Sequence, residues 1–125
     1  YELLDKIGNK GSDTGLLFFD DVRVPVANTI GQVGRGFQQQ MMQFQDERMV
    51  VVVSAPVAAR QLWQQTLDHC RQRIAFGKPL SKMQVNAFKF VDMKIQIEAA
   101  QEFAYRCIRR MMRNEDATLD ISMCK

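Results

Sequence analysis

Two short stretches of the sequence set charged groups beside apolar residues. The first is Phe44-Gln45-Asp46-Glu47-Arg48, which lies between two methionines and a valine run. A carboxylic acid in mostly apolar surroundings tends to have a raised pKa, which suits a general base near neutral pH. An exposed helical turn in which Glu47 pairs with Arg48 accounts for the same residues. The residues alone leave both interpretations open.

The second stretch combines guanidinium groups with an aromatic ring and a flexible loop. Arg71 and Arg73 precede Phe76-Gly77-Lys78. Guanidinium groups bind phosphates in bidentate geometry and stack on flat rings. This stretch could therefore hold a diphosphate and stack a nucleotide base.

Other charged residues give weaker signals. Arg106, Arg109, Arg110 and Arg113 are spaced to share one helical face, where they could meet phosphates. A solvated face is the preferred interpretation, because no nucleic-acid motif accompanies them and the net charge is only +3. His69, the only histidine, is predicted to be a surface or interface residue. We find no metal-ligand cluster and no Ser/His/Asp set.

The composition is that of an ordinary globular protein. Hydrophobic residues make up 46% and charged residues 25% of the 125 positions, which argues against disorder or a disulfide scaffold. The longest apolar run, Met49 to Val53, is far shorter than the roughly 20 residues that span a bilayer. There is neither a signal peptide nor an initiator Met, so both ends are expected to be cut. The three cysteines lack Cys-x-x-Cys spacing and predict free thiols.

The elements that position these residues change in character along the chain. Residues 1–35 predict strands and loops, with one strand in Leu16-Leu17-Phe18-Phe19 and a second where Val22, Val24 and Val26 alternate with other residues. From Phe37 to roughly Gln72 the apolar residues recur at near-helical spacing, which predicts a long helix. Pro56 lies inside this helix and should kink or split it.

Two further helices follow a break rich in glycine and proline. Ser81-Lys82-Met83-Gln84 fits a capping box, and its helix should run to about Arg113. Asp116 or Thr118 should cap a third helix, of which only the beginning is present. The predicted fold is mainly α, a truncated antiparallel helical bundle preceded by short β-strands. We place the end of a β-domain and a linker at residues 1–33 and the helical-bundle domain at residues 34–125.

An ordered series of landmarks covers nearly the whole chain and resembles the acyl-CoA dehydrogenase family. The landmarks are Gly11-Ser12-Asp13-Thr14, Phe19-Asp20-Asp21-Val22-Arg23-Val24-Pro25, Asn28, Gly31, Gly34-Arg35-Gly36-Phe37, Glu47-Arg48, Arg73-x-x-Phe76-Gly77-Lys78-Pro79-Leu80, Gln84 and Asp92-Met93. The resemblance implies part of a flavoenzyme that binds FAD, removes the α-proton of an acyl-CoA thioester and passes the β-hydrogen to the flavin as hydride. The family's other flavin-contacting segments are absent from the sequence, so the fragment alone is expected to be inactive.

The resemblance also assigns cofactor residues. Arg73 matches an arginine that reaches the diphosphate of FAD bound mainly by another subunit, and Phe76 lies beside the adenine end. Met83 and Gln84 match further cofactor-binding positions, although Gln84 also suits the capping box.

Glu47 is the implied catalytic base. A subgroup that includes isovaleryl-CoA and long-chain acyl-CoA dehydrogenases carries the base directly before an arginine, as in Glu47-Arg48, whereas most members carry it far downstream. A base beyond Lys125 therefore remains the alternative. Arg48 matches an arginine near the CoA moiety, and the residues flanking the pantetheine and acyl path, or forming plain core, are Phe37, Met41 and Phe44.

Two residues depart from the family pattern. Gln45 stands where several members have Asp, so a CoA contact there is in doubt. Pro56 stands where small residues are usual, so the helix geometry there could differ from that of the family.

The resemblance implies partners as well. They are an acyl-CoA substrate from fatty-acid or branched-chain amino-acid degradation, electron-transfer flavoprotein as electron acceptor, and a homo-oligomer built as a dimer of dimers (a homotetramer). No membrane span and no nucleic acid are expected, and the location would be the mitochondrial matrix in a eukaryote or the cytoplasm in a bacterium. The alternatives are a helical module without catalysis that binds nucleic acid or protein, and an acyl-CoA oxidase.

Overall fold

The computed structural model describes every residue from Tyr1 to Lys125. The chain divides into two compact units, Tyr1–Gly36 and Phe37–Lys125. Three helices dominate, and four short strands pair into two hairpins. The helices are α1 (Gly36–Gln72), α2 (Gln84–Met112) and α3 (Thr118–Cys124). The strands are β1 (Glu2–Leu3), β2 (Gly15–Leu16), β3 (Ile74–Ala75) and β4 (Lys78–Pro79). The prediction of a mainly helical fold with a few short strands is confirmed.

The first unit contains less strand than the sequence predicts. β1 and β2 pair antiparallel, with Glu2 opposite Leu16. The predicted strand over Val22 to Val26 does not form, and Val22 is 60% exposed. Asp21 adopts a φ of 48°, which is incompatible with extended backbone, and no neighbouring strand offers hydrogen bonds. The alternation of valines with polar residues therefore did not indicate a strand in this segment.

Helix α1 runs unbroken through Pro56, so the prediction that proline could split it is wrong. The fixed φ of proline is compatible with a helix, but the residue removes one backbone donor and its ring crowds the carbonyl four residues earlier. Pro56 is buried, which offsets part of that cost by removing an apolar ring from water.

Helix α2 begins without the predicted capping box. Ser81 lies in a short 3-10 turn over Leu80–Lys82, and Met83, the residue before the helix, makes no side-chain cap. The Asn86 amide instead donates a hydrogen bond to the Leu80 carbonyl at 3.0 Å, which ties the first turn of α2 to the preceding segment. Gln84 is therefore an exposed first residue of the helix with no capping partner.

The residue at the N-cap of α3 is Ala117, which makes no side-chain cap, so neither predicted residue, Asp116 or Thr118, occupies that position. The Asp116 carboxylate accepts a hydrogen bond from the Thr118 backbone amide at 2.9 Å. That bond holds the pKa of Asp116 below its usual value. Asp116, one residue before the N-cap, thereby pairs the amide of the first helical residue and places a negative charge near the positive end of the helix.

All three helices contribute to a small apolar core. Its buried members are Met49, Val52, Ala104, Cys107, Ala117 and Ile121. Farther along α1, the Trp63 indole donates a hydrogen bond to the Phe90 carbonyl of α2 at 2.9 Å, and the two rings meet edge to face. Helices α1 and α2 are thus joined both at the core and at a second, more exposed contact.

A buried acid fixes the corner between α2 and α3. Asp120 is 2% exposed, and its carboxylate accepts from Arg106 at 3.2 Å and also contacts Arg110. Arg110 in addition binds Glu115 at 3.2 Å. Because a buried carboxylate is costly without partners, the two arginines are needed to keep α3 against α2.

Large apolar side chains remain exposed on the helices, and this predicts self-association of the 125-residue chain. A groove of about 440 Å³ between α1 and α2 is lined mainly by Trp63, Leu67, Phe90, Val91 and Ile95. Apolar patches of this kind promote association. Light scattering across a concentration series should show oligomers or aggregates, and a monomer at high concentration would contradict the expectation.

Replacing Asp120 with Asn should destabilise the helical unit. The change leaves two arginine partners without their negative charge, and loss of such bonds costs on the order of 1–3 kcal/mol. The midpoint of thermal unfolding should fall by several degrees. Glu98→Gln is the matched control, because Glu98 pairs with Arg60 and Lys94 at the surface, where ion pairs contribute little. Equal effects of the two substitutions would contradict the special role of Asp120.

Candidate functional site

The first part of α1 carries a groove that combines an acid, a cation and apolar walls. Phe44, Glu47, Arg48 and Val51 follow one another at helical spacing and line a groove of about 310 Å³, which Lys125 closes from the end of α3. The helical repeat places these residues on one face because positions three and four apart are neighbours. The structure thus brings together three of the predicted site residues, Phe44, Glu47 and Arg48.

Neighbouring side chains orient the charged groups in this groove. The Gln43 amide donates a hydrogen bond to Oε1 of Glu47 at 3.1 Å. The Arg48 guanidinium lies over the Phe44 ring, 5.9 Å from its centre. Glu47 itself is exposed, and so its carboxylate can be reached by a ligand in the groove.

The other residues of the stretch lie elsewhere. Asp46 lines a different groove, together with Met49, Val50 and Met111, so this neighbouring acid lies outside the Glu47 groove. Gln45 is half-buried, and its carbonyl oxygen has no hydrogen-bond partner.

Two predicted substrate residues lie apart from this groove. Phe37 is 76% exposed at the start of α1. Met41 is half-buried, and it does not line the Glu47 groove. Both residues lie on α1 before the first lining residue, Phe44, and neither surrounds the Glu47 carboxylate.

The second cluster is built on the β3–β4 hairpin. Ile74 pairs with Pro79 and Ala75 with Lys78, which leaves Phe76 and Gly77 as the two loop residues. Their φ angles are 52° and 74°, the positive pair that a type I′ turn requires. Glycine adopts such an angle freely, but phenylalanine rarely does. The turn nevertheless holds the Phe76 ring 94% exposed.

The predicted cofactor residues lie in this hairpin or within a few residues of either end of it. The Arg73 amide donates to the His69 carbonyl, and the Arg73 carbonyl accepts from Leu80, both at 2.9 Å. These bonds fix the backbone while leaving the Arg73 side chain exposed. Met83 is half-buried and Gln84 is exposed at the start of α2. An exposed guanidinium and an exposed aromatic ring fit the diphosphate and the adenine of a dinucleotide.

Three of the four arginines on the predicted arginine face of α2 make ion pairs within the chain. Arg106 and Arg110 bind Asp120, and Arg110 and Arg113 approach Glu115. Two carboxylates thus pair with three of the four guanidinium groups, and Arg109 takes part in none of these ion pairs.

Sequence reasoning missed Gln43, which donates a hydrogen bond to Glu47, and Lys125, which lines the Glu47 groove. Gln43 lies four residues before Glu47, and this spacing alone could have indicated the hydrogen bond. Lys125 reaches the groove only because α3 folds back on α2, and nothing local in the sequence indicates that placement.

The helices, the Glu47 groove and the hairpin belong to a helical domain, and comparison with known proteins identifies its family. The model for the C-terminal domain of acyl-CoA dehydrogenases matches residues 34–125. The chain belongs to the acyl-CoA dehydrogenase family, which confirms the resemblance drawn from its landmarks.

Individual relatives cover the chain but extend well beyond it. It is 37% identical to a short-chain specific acyl-CoA dehydrogenase of Megasphaera elsdenii over 97% of this chain and 32% of that protein. It is 33% identical to the mitochondrial long-chain specific acyl-CoA dehydrogenase of Sus scrofa over 85% of this chain and 25% of that protein. The chain therefore spans a third or less of the length of these relatives.

Solved structures give the same result. An acyl-CoA dehydrogenase from Geobacillus kaustophilus superposes with a TM-score of 0.92 at 35% identity, over 100% of this chain and 33% of that one. A butyryl-CoA dehydrogenase from Megasphaera elsdenii superposes with a TM-score of 0.90 at 36% identity, over 98% of this chain and 32% of that one.

Proposed function

We propose that this chain is part of an FAD-dependent acyl-CoA dehydrogenase that introduces a double bond between the α and β carbons of an acyl-CoA thioester. The groove around Glu47 is the observation that carries the proposal. It offers a carboxylate, a cation and apolar walls within two turns of one helix. Its occupant would need an acidic C–H bond, an anionic portion and an apolar chain, as an acyl-CoA has.

In the proposed reaction Glu47 takes the α-proton of the thioester. The hydrogen bond from Gln43 would hold one carboxylate oxygen and leave the other free to accept the proton. Phe44 and Val51 would exclude water along the acyl chain, and the bound substrate would complete the dry surroundings that the step requires. Arg48 would pair with a phosphate of CoA. When bound, FAD would accept the β-hydrogen as hydride.

The cofactor contacts proposed at the hairpin are Arg73 to the diphosphate and Phe76 to the adenine, with Met83 and Gln84 beside them. The exposed, strained placement of the Phe76 ring supports this role, because strain is retained where another requirement outweighs it. The Gln84 side chain is exposed and makes no cap at the start of α2, so its amide is available to a ligand.

The distance between the two clusters supports an oligomer. Glu47 and Gln72 are separated by 25 helical residues, or roughly 37 Å at 1.5 Å per residue. This exceeds the reach of one FAD from its flavin ring to its diphosphate. Arg73 would therefore contact the FAD of another subunit, as expected in a homo-oligomer arranged as a dimer of dimers.

Domain boundaries, electron acceptor and location complete the proposal. Residues 1–33 would be the end of a β-domain and residues 34–125 the helical-bundle domain, which the two compact units support. Electron-transfer flavoprotein would accept the electrons, in the mitochondrial matrix or in a bacterial cytoplasm, since relatives from both sources exist. None of the three helices combines the length and apolar character of a membrane span.

Arg73→Ala in the full-length protein should weaken FAD retention and assembly together. Loss of a charge-assisted contact to phosphate costs about 1.5–3 kcal/mol, or roughly a 10- to 100-fold weaker affinity. Flavin content after dialysis and oligomer size by gel filtration measure the two effects. Arg71→Ala is the matched control, because Arg71 pairs with Asp68 at 3.3 Å. Unchanged flavin content and size in Arg73→Ala would refute the shared-cofactor role.

Glu47→Gln in the full-length enzyme should slow flavin reduction by acyl-CoA by about 10²-fold or more, because it keeps the shape of the side chain and removes its basicity. FAD should remain bound. Stopped-flow absorbance of the flavin measures the rate, and Asp46→Asn, which changes the neighbouring acid in another groove, should have little effect. A wild-type rate in Glu47→Gln would move the base beyond Lys125.

A further inference from the structure

The β3–β4 hairpin carries a second cation on the same face as Arg73. Ala75 pairs with Lys78, and the Leu80 amide donates a hydrogen bond to the Arg73 carbonyl at 2.9 Å. This bond continues the strand ladder by one step and sets Arg73 opposite Leu80. Side chains alternate between the two faces of a strand. Arg73 and Lys78 therefore lie on one face of the hairpin, together with Ala75 and Leu80.

The two cations are diagonal neighbours on that face. Lys78 is opposite Ala75, which is two residues from Arg73. Diagonal positions of this kind are roughly 7–8 Å apart, within reach of long side chains. Ala75 contributes only a methyl group and leaves the space between the two long side chains open. A ligand that contacts one cation can therefore contact the other as well.

No acid of the chain neutralises this pair. Both side chains are exposed, and neither takes part in any ion pair of the structure. Arg71, by contrast, is held by Asp68 at 3.3 Å. Like charges at neighbouring cross-strand positions disfavour each other, and an anion that binds both removes this repulsion. The pair thus suits an anionic ligand.

The turn fixes the two cations in this arrangement. The positive φ angles of Phe76 and Gly77, 52° and 74°, define a two-residue hairpin loop. The type and length of the loop set the strand register, and a shift by one residue would move Lys78 to the opposite face. The backbone therefore places both cations on one face before any ligand binds.

We infer that Lys78 is a second phosphate-binding residue of the hairpin, which together with Arg73 holds the diphosphate of the dinucleotide cofactor. The inference rests on the proposed function, because that proposal supplies the dinucleotide. A diphosphate has two phosphoryl groups, so each cation can bind a different one. Arg73 offers a planar fork of donors for one group, and Lys78 offers a compact charge for the other.

Lys78→Met in the full-length protein tests the charge, because methionine keeps an unbranched apolar side chain and lacks the ammonium group. FAD retained after dialysis, measured by flavin absorbance over a series of protein concentrations, should show roughly 10-fold weaker binding. The difference from wild type should shrink as the salt concentration rises, since salt screens exposed charges. Lys78→Arg should retain FAD as wild type does. Lys89→Met is the matched control, because Lys89 is an exposed lysine of α2 outside the hairpin.

The Arg73→Ala variant distinguishes failure of this inference from failure of the proposed function. If Arg73→Ala loses FAD but Lys78→Met retains it with wild-type affinity, the role of Lys78 is overturned and the proposed function stands. Equal losses in Lys78→Met and Lys78→Arg would also overturn the role, because the charge would then not be what binds. If Arg73→Ala and Lys78→Met both retain FAD, the inference fails together with the proposed cofactor contact at the hairpin.

Discussion

The unbroken course of α1 is the constraint on which the rest of the helical unit depends. One helix carries the acid of the Glu47 groove near its beginning and the hairpin at its end. A split at Pro56 would have allowed the two to approach each other. Because the helix continues, its length sets their separation, and the proposed base and the proposed diphosphate contact would serve different cofactor molecules. Assembly would then be a condition of activity rather than an addition to it.

Ion pairs at the corner between α2 and α3 help to form the Glu47 groove. Ion pairs at a protein surface contribute little, but Asp120 is buried and shared between two guanidinium groups. Those contacts keep Ile121 in the core and bring Lys125 beside the acid-bearing face of α1. A contact remote from the groove in sequence thus determines one of its walls.

The sequence predicted the elements whose signals are local. Helical spacing located α1 and α2 nearly to the residue. The prediction of a strand near Val22 was wrong because a strand needs a neighbouring strand to pair with, and alternation of residue types does not show that one is present. The capping box at Ser81 failed because the 3-10 turn after the hairpin delays the start of α2.

In the candidate site, too, the sequence predicted what depends on local spacing and missed what depends on tertiary contacts. Glu47, Arg48 and Phe44 share a groove because they share a helical face, which their spacing indicated. Lys125 required the tertiary fold. The roles assigned to these residues come from the family resemblance, since position alone does not distinguish a base from a surface acid.

The backbone at Phe76 places stability and function in opposition. A glycine or asparagine would relieve the left-handed conformation and make the hairpin more stable, but it would also remove the exposed ring. Selection for heat resistance alone should therefore favour substitutions of Phe76, and these would remove the proposed adenine contact while they stabilise the hairpin. Engineering for stability and natural selection for catalysis would then favour different residues in this turn.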